Sequence, residues 1–329
     1  MAMFTLAQAK ELSQDKLTNY VIDEFRKSPL LDAMVFDDTG KPQGGSTMTY
    51  VYNRVKTMAT AAGRALNTEY TPQQADTEQV TVNLKVLGGA FELDRVIARY
   101  EKQVLDLVKF QVNQKTGAVR TLFQDWFING DSDKDATAFD GLAKALKGSS
   151  TEMTLEDSSL LQLDSAANVK ANWQSFLYEL RQVEKLLDGE PGVIAVNNDL
   201  FAVFQSVADL STQFQQTKTE LGTQIVKYGN ATIMKMGDKP GTSSPIIPTD
   251  PTKGTTDMYL FRIGLDAVHG VTPEGTKEPT VFLPDMTKPG AVKTGEVEMV
   301  AAMALKATRS AAVLHGIQVA PAVATPTGK

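Results

Sequence analysis

There is no cysteine anywhere in the 329 residues, and histidine occurs only at His269 and His315. The first absence excludes disulfides, thiolate metal sites and a cysteine nucleophile. The second excludes a three-histidine zinc centre. No run of about eighteen apolar residues occurs, so no membrane-spanning helix is expected. The opening MAMFTLAQAKELSQDK lacks a basic start followed by an apolar stretch, so no signal peptide is expected either. A glycine-lysine phosphate loop, a dinucleotide fingerprint, a nucleophile elbow and an HExxH helix are all missing. The net charge of −6 argues against a dominant nucleic-acid-binding face. What is present is a globular composition, 42% hydrophobic and 22% charged, in a chain long enough for one large or two ordinary domains. Stability must come from packing, within a subunit or between subunits.

Residues 5–36 read as a mostly polar helix followed by an extended segment. Leu17, Tyr20, Val21, Glu24 and Phe25 fall near helical spacing, and Pro29 is the expected stop. The turn-rich DDTGKPQGGS (37–46) is a boundary. TMTYVYNRV (47–55) reads as a strand, and Val80, Val82, Leu84 and Val86 alternate with polar residues to give a second. The small, polar segment between them has no sustained period, so the two strands predict a projecting hairpin with a long tip. Such a hairpin is marginal alone and needs a partner surface, for which another copy of the chain is the natural choice. Arg54, Lys56, Arg64 and Glu69, on or near the tip, are the candidate inter-subunit contacts.

In VTVNLKVLGGAFELD (80–94) the apolar residues are even-numbered before the glycines and odd-numbered after them, at Phe91 and Leu93. A one-residue shift turns every side chain to the other face, so a bulge or hinge is expected at Gly88-Gly89. Glu92 and Asp94 then share the polar face, with Asp94 placed as the N-cap of a helix beginning at Arg95. The rival reading of Glu92 and Asp94 is an acid/base pair of a carboxylate hydrolase, which would need a cleft and a further partner. From Arg95 to Asn129 the spacing is helical, with Gly117 as the place for a kink. Trp126 and Trp173 each fall on an apolar helical stripe and are read as core.

Asp131, Asp133 and Asp135 invite a cation site. Ala136 and Leu142 stand where a calcium loop would need glycine and a final carboxylate, so a solvated turn is the plainer reading and an irregular cation site the alternative. Beyond them, Asn172 is the expected cap of a helix running through Leu187. GVIAV (192–196) is a buried strand, and Asn197 or Asn198 caps a helix through Leu210. ATIMKM and DMYLFRI add strands, separated by a proline-rich loop. Residues 295–320 look like long strands that rejoin a sheet, and PAVATPTGK is a tail without structure. His269 and His315 read as ordinary strand or turn residues.

This order of elements, with GGAFELDR before a long helix and FDGL after it, resembles the major capsid protein of tailed bacteriophages, a fold shared with the herpesvirus capsid floor and encapsulins. The resemblance covers nearly the whole chain and rests on architecture more than on short motifs. It implies an α+β fold with an N-terminal arm (1–40), an extended β-hairpin loop (41–90) and a peripheral domain built on a long spine helix (91–165). An α/β axial domain (166–290), return strands completing the peripheral sheet (291–320) and a tail (321–329) follow. It further implies a structural protein, without catalysis, cofactor or metal, that assembles as hexamers and pentamers into an icosahedral shell around double-stranded DNA. An encapsulin-type compartment is the alternative. The expected partners are other copies of the chain, a portal, a separate scaffolding protein, decoration proteins, and DNA held weakly without sequence specificity. The location would be the virion, assembled in the host cytoplasm.

Overall fold

A computed structural model of the protein describes residues 29–40, 47–57, 59–72, 74–96, 104–155, 161–218 and 224–322. The helix expected before residue 29, most of the turn expected before residue 47, residues 97–103 of the expected long helix and the last seven residues lie outside them.

Two sheets and one long helix organise the chain. The first sheet runs β1 (Phe36–Asp38), β11 (Val268–Thr272), β13 (Val292–Leu305), β12 (Thr280–Phe282), with β4 (Lys85–Asp94) also paired to β13. The second runs β5 (Glu152–Thr154), β14 (Ala311–Gln318), β10 (Thr255–Phe261), β6 (Val193–Val196), β9 (Ala231–Lys235), β8 (Gln224–Tyr228), β7 (Phe214–Lys218). β2 (Thr49–Thr57) and β3 (Asp76–Asn83) form a separate hairpin.

The sequence of β13 explains the first sheet. In VKTGEVEMVAAMAL the residues Lys293, Gly295, Val297, Met299, Ala301 and Met303 are buried, and from Ala301 onward both faces are. A strand that alternates and then becomes continuously apolar has one covered face at its start and two at its end. The covered face packs on α2 (Val104–Asn129), whose Val119, Phe123 and Phe127 share a core with Val297, Met299 and Met303. Over the last residues of β13 the opposite face is closed by the hairpin's Tyr50 and Tyr52, for which Ala302 and Ala304 leave room.

The parity change in 80–94 is present, but not at the glycines. Val80 and Val82 are half-buried and Leu84 buried, after which Leu87, Phe91 and Leu93 are the buried residues. The switch falls at Leu84, the one residue between β3 and β4, whose N–H donates to the Met48 carbonyl at 2.9 Å. β4 runs through Gly88 and Gly89 in unbroken register, from Lys85 opposite Ala301 to Asp94 opposite Val292. The expected bulge is therefore absent, and the glycines serve close packing instead. A Cβ on Gly88 would lie 2.8 Å from the Val297 carbonyl oxygen, and one on Gly89 would lie 3.2 Å from Lys115 Cδ of α2.

Other expectations shift for equally local reasons. Pro29–Ala33 form a short helix, α1, whose Leu30 and Leu31 are fully buried in the α2 core, and the helix expected to stop at Pro29 lies outside the described residues. α2 is helical through Gly117, with no break. α4 (Ala166–Glu184) is capped by Ser165, whose hydroxyl accepts from the Asn168 N–H. Asn172 sits inside that helix and donates to the Gln162 carbonyl at 3.0 Å. Asn197 caps α5 (Asn198–Leu210), accepting from the Leu200 N–H at 2.8 Å. A short α3 (Leu142–Leu146) lies between α2 and α4. Of the return strands, only β13 joins the sheet that holds β4. β14 enters the second sheet between β10 and β5, while β11 and β12 pair with β13. The chain thus crosses between sheets at residues 306–310.

Two glycine substitutions separate these roles. Gly88→Val should destabilise the isolated subunit by about 1–3 kcal/mol, because the strand opposite has no room to move. Gly117→Ala, where a Cβ meets nothing within 4 Å, should stabilise it by about 0.5–1 kcal/mol. Chemical denaturation of the two variants checks both.

Candidate functional site

The hairpin is held to its own subunit along its first residues. Tyr50 donates its hydroxyl to Asp37 Oδ2 at 2.5 Å, Tyr52 donates to the Leu305 carbonyl at 2.7 Å, and Arg54 Nη1 donates to Thr308 Oγ1 at 3.1 Å. Arg54 also pairs with Glu78 across the hairpin at 3.4 Å. Lys306 Nζ lies 5.3 Å from the Tyr50 ring centroid and 3.7 Å from Asp37 Oδ2. Burial, then the hydrogen bond to Asp37, pushes the Tyr50 phenol well above its ordinary value. Burial would raise Asp37, but the Tyr50 hydroxyl, the Asp38 N–H and Lys306 outweigh it and hold the carboxyl low.

Beyond these anchors the hairpin is bare. The described residues from 59 to 72 are all exposed, Leu66 at 90% and Tyr70 at 61%. Arg64 folds back on the tip, donating to the Thr68 carbonyl at 3.2 Å with its guanidinium 5.4 Å from the Tyr70 ring. Asn67, at φ 65°, makes the reversal. Of the four residues expected at inter-subunit contacts, Arg54 is thus an anchor to its own subunit. Lys56, Arg64 and Glu69 stand free of ion pairs among the described residues.

A second bare surface lies on the first sheet, on the side away from α2. Glu298 is opposite Gly88 and Thr280, Glu296 is opposite Ala90 and Phe282, and Glu92 is opposite Thr294. This places three carboxylates on one face, with Val86, Phe282 and Val292 exposed beside them. None of the three carboxylates has an ion-pair partner among the described residues. Asp94 shares the polar side of β4 with Glu92, and its carboxylate accepts the Val96 N–H at 2.7 Å where the chain turns helical.

The aspartates after α2 are brought together around a lysine. Lys144 Nζ lies 2.7 Å from Asp133, 2.9 Å from Asp140 and 3.0 Å from Asp131. These bonds hold Asp131 down at about 2 and raise Lys144 well above its ordinary value. Asp135 is not in this group; it accepts from its neighbour Thr137 through N–H and hydroxyl. The positive charge that this turn gathers is the protein's own ammonium group.

His315 has a setting that its sequence neighbours do not announce. Its Nδ1 is 2.9 Å from Asp257 and its Nε2 is 3.3 Å from Glu152, so the ring bridges β10, β14 and β5. The hydrogen bond to Asp257 outweighs burial and holds the imidazole proton above the ordinary value. Asp257 reaches the ring because β10 shifts register between Thr256 and Met258. The only sequence signal is the alternation of strand faces, which says nothing about strand order.

No protein-family model matches the chain, and no curated protein matches it in sequence. Solved structures do. The chain is similar to the SrpI encapsulin complex of Synechococcus elongatus PCC 7942, with a TM-score of 0.62 at 13% identity over 99% of both chains. It is similar to the capsid of Myoviridae phage XM1, with a TM-score of 0.58 at 12% identity over 96% of this chain and 100% of that one. The capsid of cyanophage A-1(L) gives 0.57 at 12% identity, with the same coverage. The fold is that of tailed-phage major capsid proteins and encapsulins.

Two measurements test the electrostatics. A group whose folded pKa is raised stabilises the fold while protonated, so the His315 contribution is complete below about pH 6.5 and is lost as pH rises through the folded value. Between about pH 6 and 8.5 the Tm should therefore fall more in the wild type than in His315→Gln. Lys144→Met should lower Tm most at low ionic strength, because three carboxylates are left facing one another, and added salt should recover part of the loss.

Proposed function

We propose that the chain is the structural subunit of a closed shell, built from hexamers and pentamers of itself, that encloses double-stranded DNA in a phage virion assembled in the host cytoplasm. The observation that carries this is the hairpin: anchored at one end by three side-chain hydrogen bonds and bare from 59 to 72, it is unfinished as part of a monomer. A two-stranded hairpin without a covering surface is marginal in water, and Leu66 and Tyr70 stay mostly exposed in their own subunit. The whole-chain likeness to capsid and encapsulin structures supports the same reading.

Within this reading the hairpin tip, with Lys56 and Arg64 beside Leu66 and Tyr70, docks on the Glu92, Glu296 and Glu298 face of a neighbouring copy. Opposite charge sets the register, and the exposed apolar side chains supply the contact. Each contact is weak, and a closed shell repeats it many times. DNA, held loosely by an acidic chain, a portal, a separate scaffolding protein and decoration proteins complete the proposed partners. The proposed role is structural: an exposed Glu92, and an Asp94 that accepts the Val96 N–H, support a polar strand face and a helix cap over an acid/base pair.

An encapsulin-type compartment is the second reading, favoured by the likeness to the SrpI encapsulin over 99% of both chains. The contents of the shell discriminate: nuclease-protected DNA in one case, a protein cargo in the other. Electron microscopy of the purified chain should show shells or capsomers, and a monomer under every assembly condition would end both readings. Arg64→Glu should reduce assembly while leaving subunit stability within about 0.5 kcal/mol. Glu296→Lys in the same chain should restore part of the assembly.

A further inference from the structure

His269 is fully buried on β11, and among the described residues neither Nδ1 nor Nε2 has a well-formed hydrogen bond, although the backbone carbonyls of Ala267 and Gly264 lie near the ring. Buried polar groups are almost always bonded, so a poorly bonded imidazole in a core calls for an account. What covers it is the hairpin. The Tyr50 ring stands edge-on to the imidazole at 5.7 Å between centroids, and the cross-strand neighbour on β13 is only Ala304. Two charged groups face the ring: Asp37 from β1, already engaged by the Tyr50 hydroxyl, and Lys306, from the turn after β13.

We propose that His269 is a proton-operated latch beneath the hairpin. As neutral imidazole it lets Tyr50 lie against it. As imidazolium, buried beside the Lys306 ammonium and only partly compensated by Asp37 and the Ala267 and Gly264 carbonyls, it gains from water that enters as the hairpin base lifts. The burden falls on the anchors at Tyr50 and Tyr52, so release lowers the cost of moving the whole hairpin relative to the first sheet. The latch belongs to the subunit alone and does not rest on what the chain assembles into.

The direction follows from the surroundings. Burial, then Lys306, holds His269 below the ordinary histidine value, while Asp37 and the backbone carbonyls of Ala267 and Gly264 pull the other way. A base whose pKa is depressed in the closed state stabilises that state above its open-state value and loses the contribution as pH falls. The equilibrium for lifting the hairpin should therefore grow by up to about tenfold per pH unit below about 6.5.

Hydrogen exchange of the purified full-length chain, corrected for intrinsic rates between about pH 7.5 and 5, reads this directly. Segments 49–57 and 76–83 should lose protection as pH falls, while the buried strand 193–196 keeps its own. His269→Phe should remove that pH dependence. Lys306→Met, which takes away the repelling charge, brings the closed-state value toward the open one, so the onset should stay near about pH 6.5 while the total loss of protection at low pH shrinks. An unchanged profile in His269→Phe, or loss of protection at 193–196 in step with the hairpin, would overturn the proposal. Should His269→Phe not fold, an undiminished loss of protection at low pH in Lys306→Met overturns it instead.

Discussion

The antiparallel ladder between residues 85–94 and 292–301 is the constraint on which the rest depends. It closes a loop of about two hundred residues, which costs little more than a short one because each doubling of loop length adds only about 0.6 kcal/mol. Once closed, it fixes both of its neighbours. The hairpin enters one end of β4 through a single residue, Leu84, and the chain turns helical at the other end, after Asp94. Gly88 and Gly89 belong to this ladder: one admits the backbone of β13, the other the side of α2. A bulge there would have broken the register that holds the sheet and the helix together.

Much of the fold was legible because it is local. The alternation in residues 47–55, the buried run 193–196 and the Asn197 cap each declare themselves within a few residues. The misreadings share a cause. Asn172 looked like a cap because asparagine before an apolar stripe usually is one, whereas Ser165 lies seven residues earlier in a less apolar stretch. β14 looked like a continuation of β13 because both are apolar, and nothing in their composition says which sheet each enters. The carboxylates around His315 come from Glu152 and Asp257, far apart in the chain, so no spacing could have joined them. The cation turn was half legible: Asp131 and Asp133 do gather positive charge, but its source, Lys144, stands well beyond the motif, in α3.

Charge is distributed unevenly over this architecture. Where carboxylates face the subunit's own interior or turns they are matched, Asp37 by Tyr50 and Lys306, Asp131 and Asp133 by Lys144, Asp257 by His315. Where they face outward on the first sheet, at Glu92, Glu296 and Glu298, they are left unmatched among the described residues. The two histidines fall on opposite sides of the same divide. His315 has a carboxylate at each nitrogen and favours its proton; His269 has a carboxylate at neither, and burial disfavours its proton. The same residue type therefore ties strands together in one sheet and sits uncommitted in the other.

Leu84 also makes the hairpin a lever. A nine-residue strand is about 30 Å long, so a rotation of about 10° at this fulcrum carries the tip about 5 Å. The restraining bonds of Tyr50, Tyr52 and Arg54 lie on the short arm, and the bare residues lie at the far end of the long one. Ångström-scale slack at the anchors becomes a reach of several ångströms at the tip. On the proposed function, one sequence can thereby meet neighbours at unequal spacings without refolding, and a load on the tip is felt, multiplied, at the tyrosines.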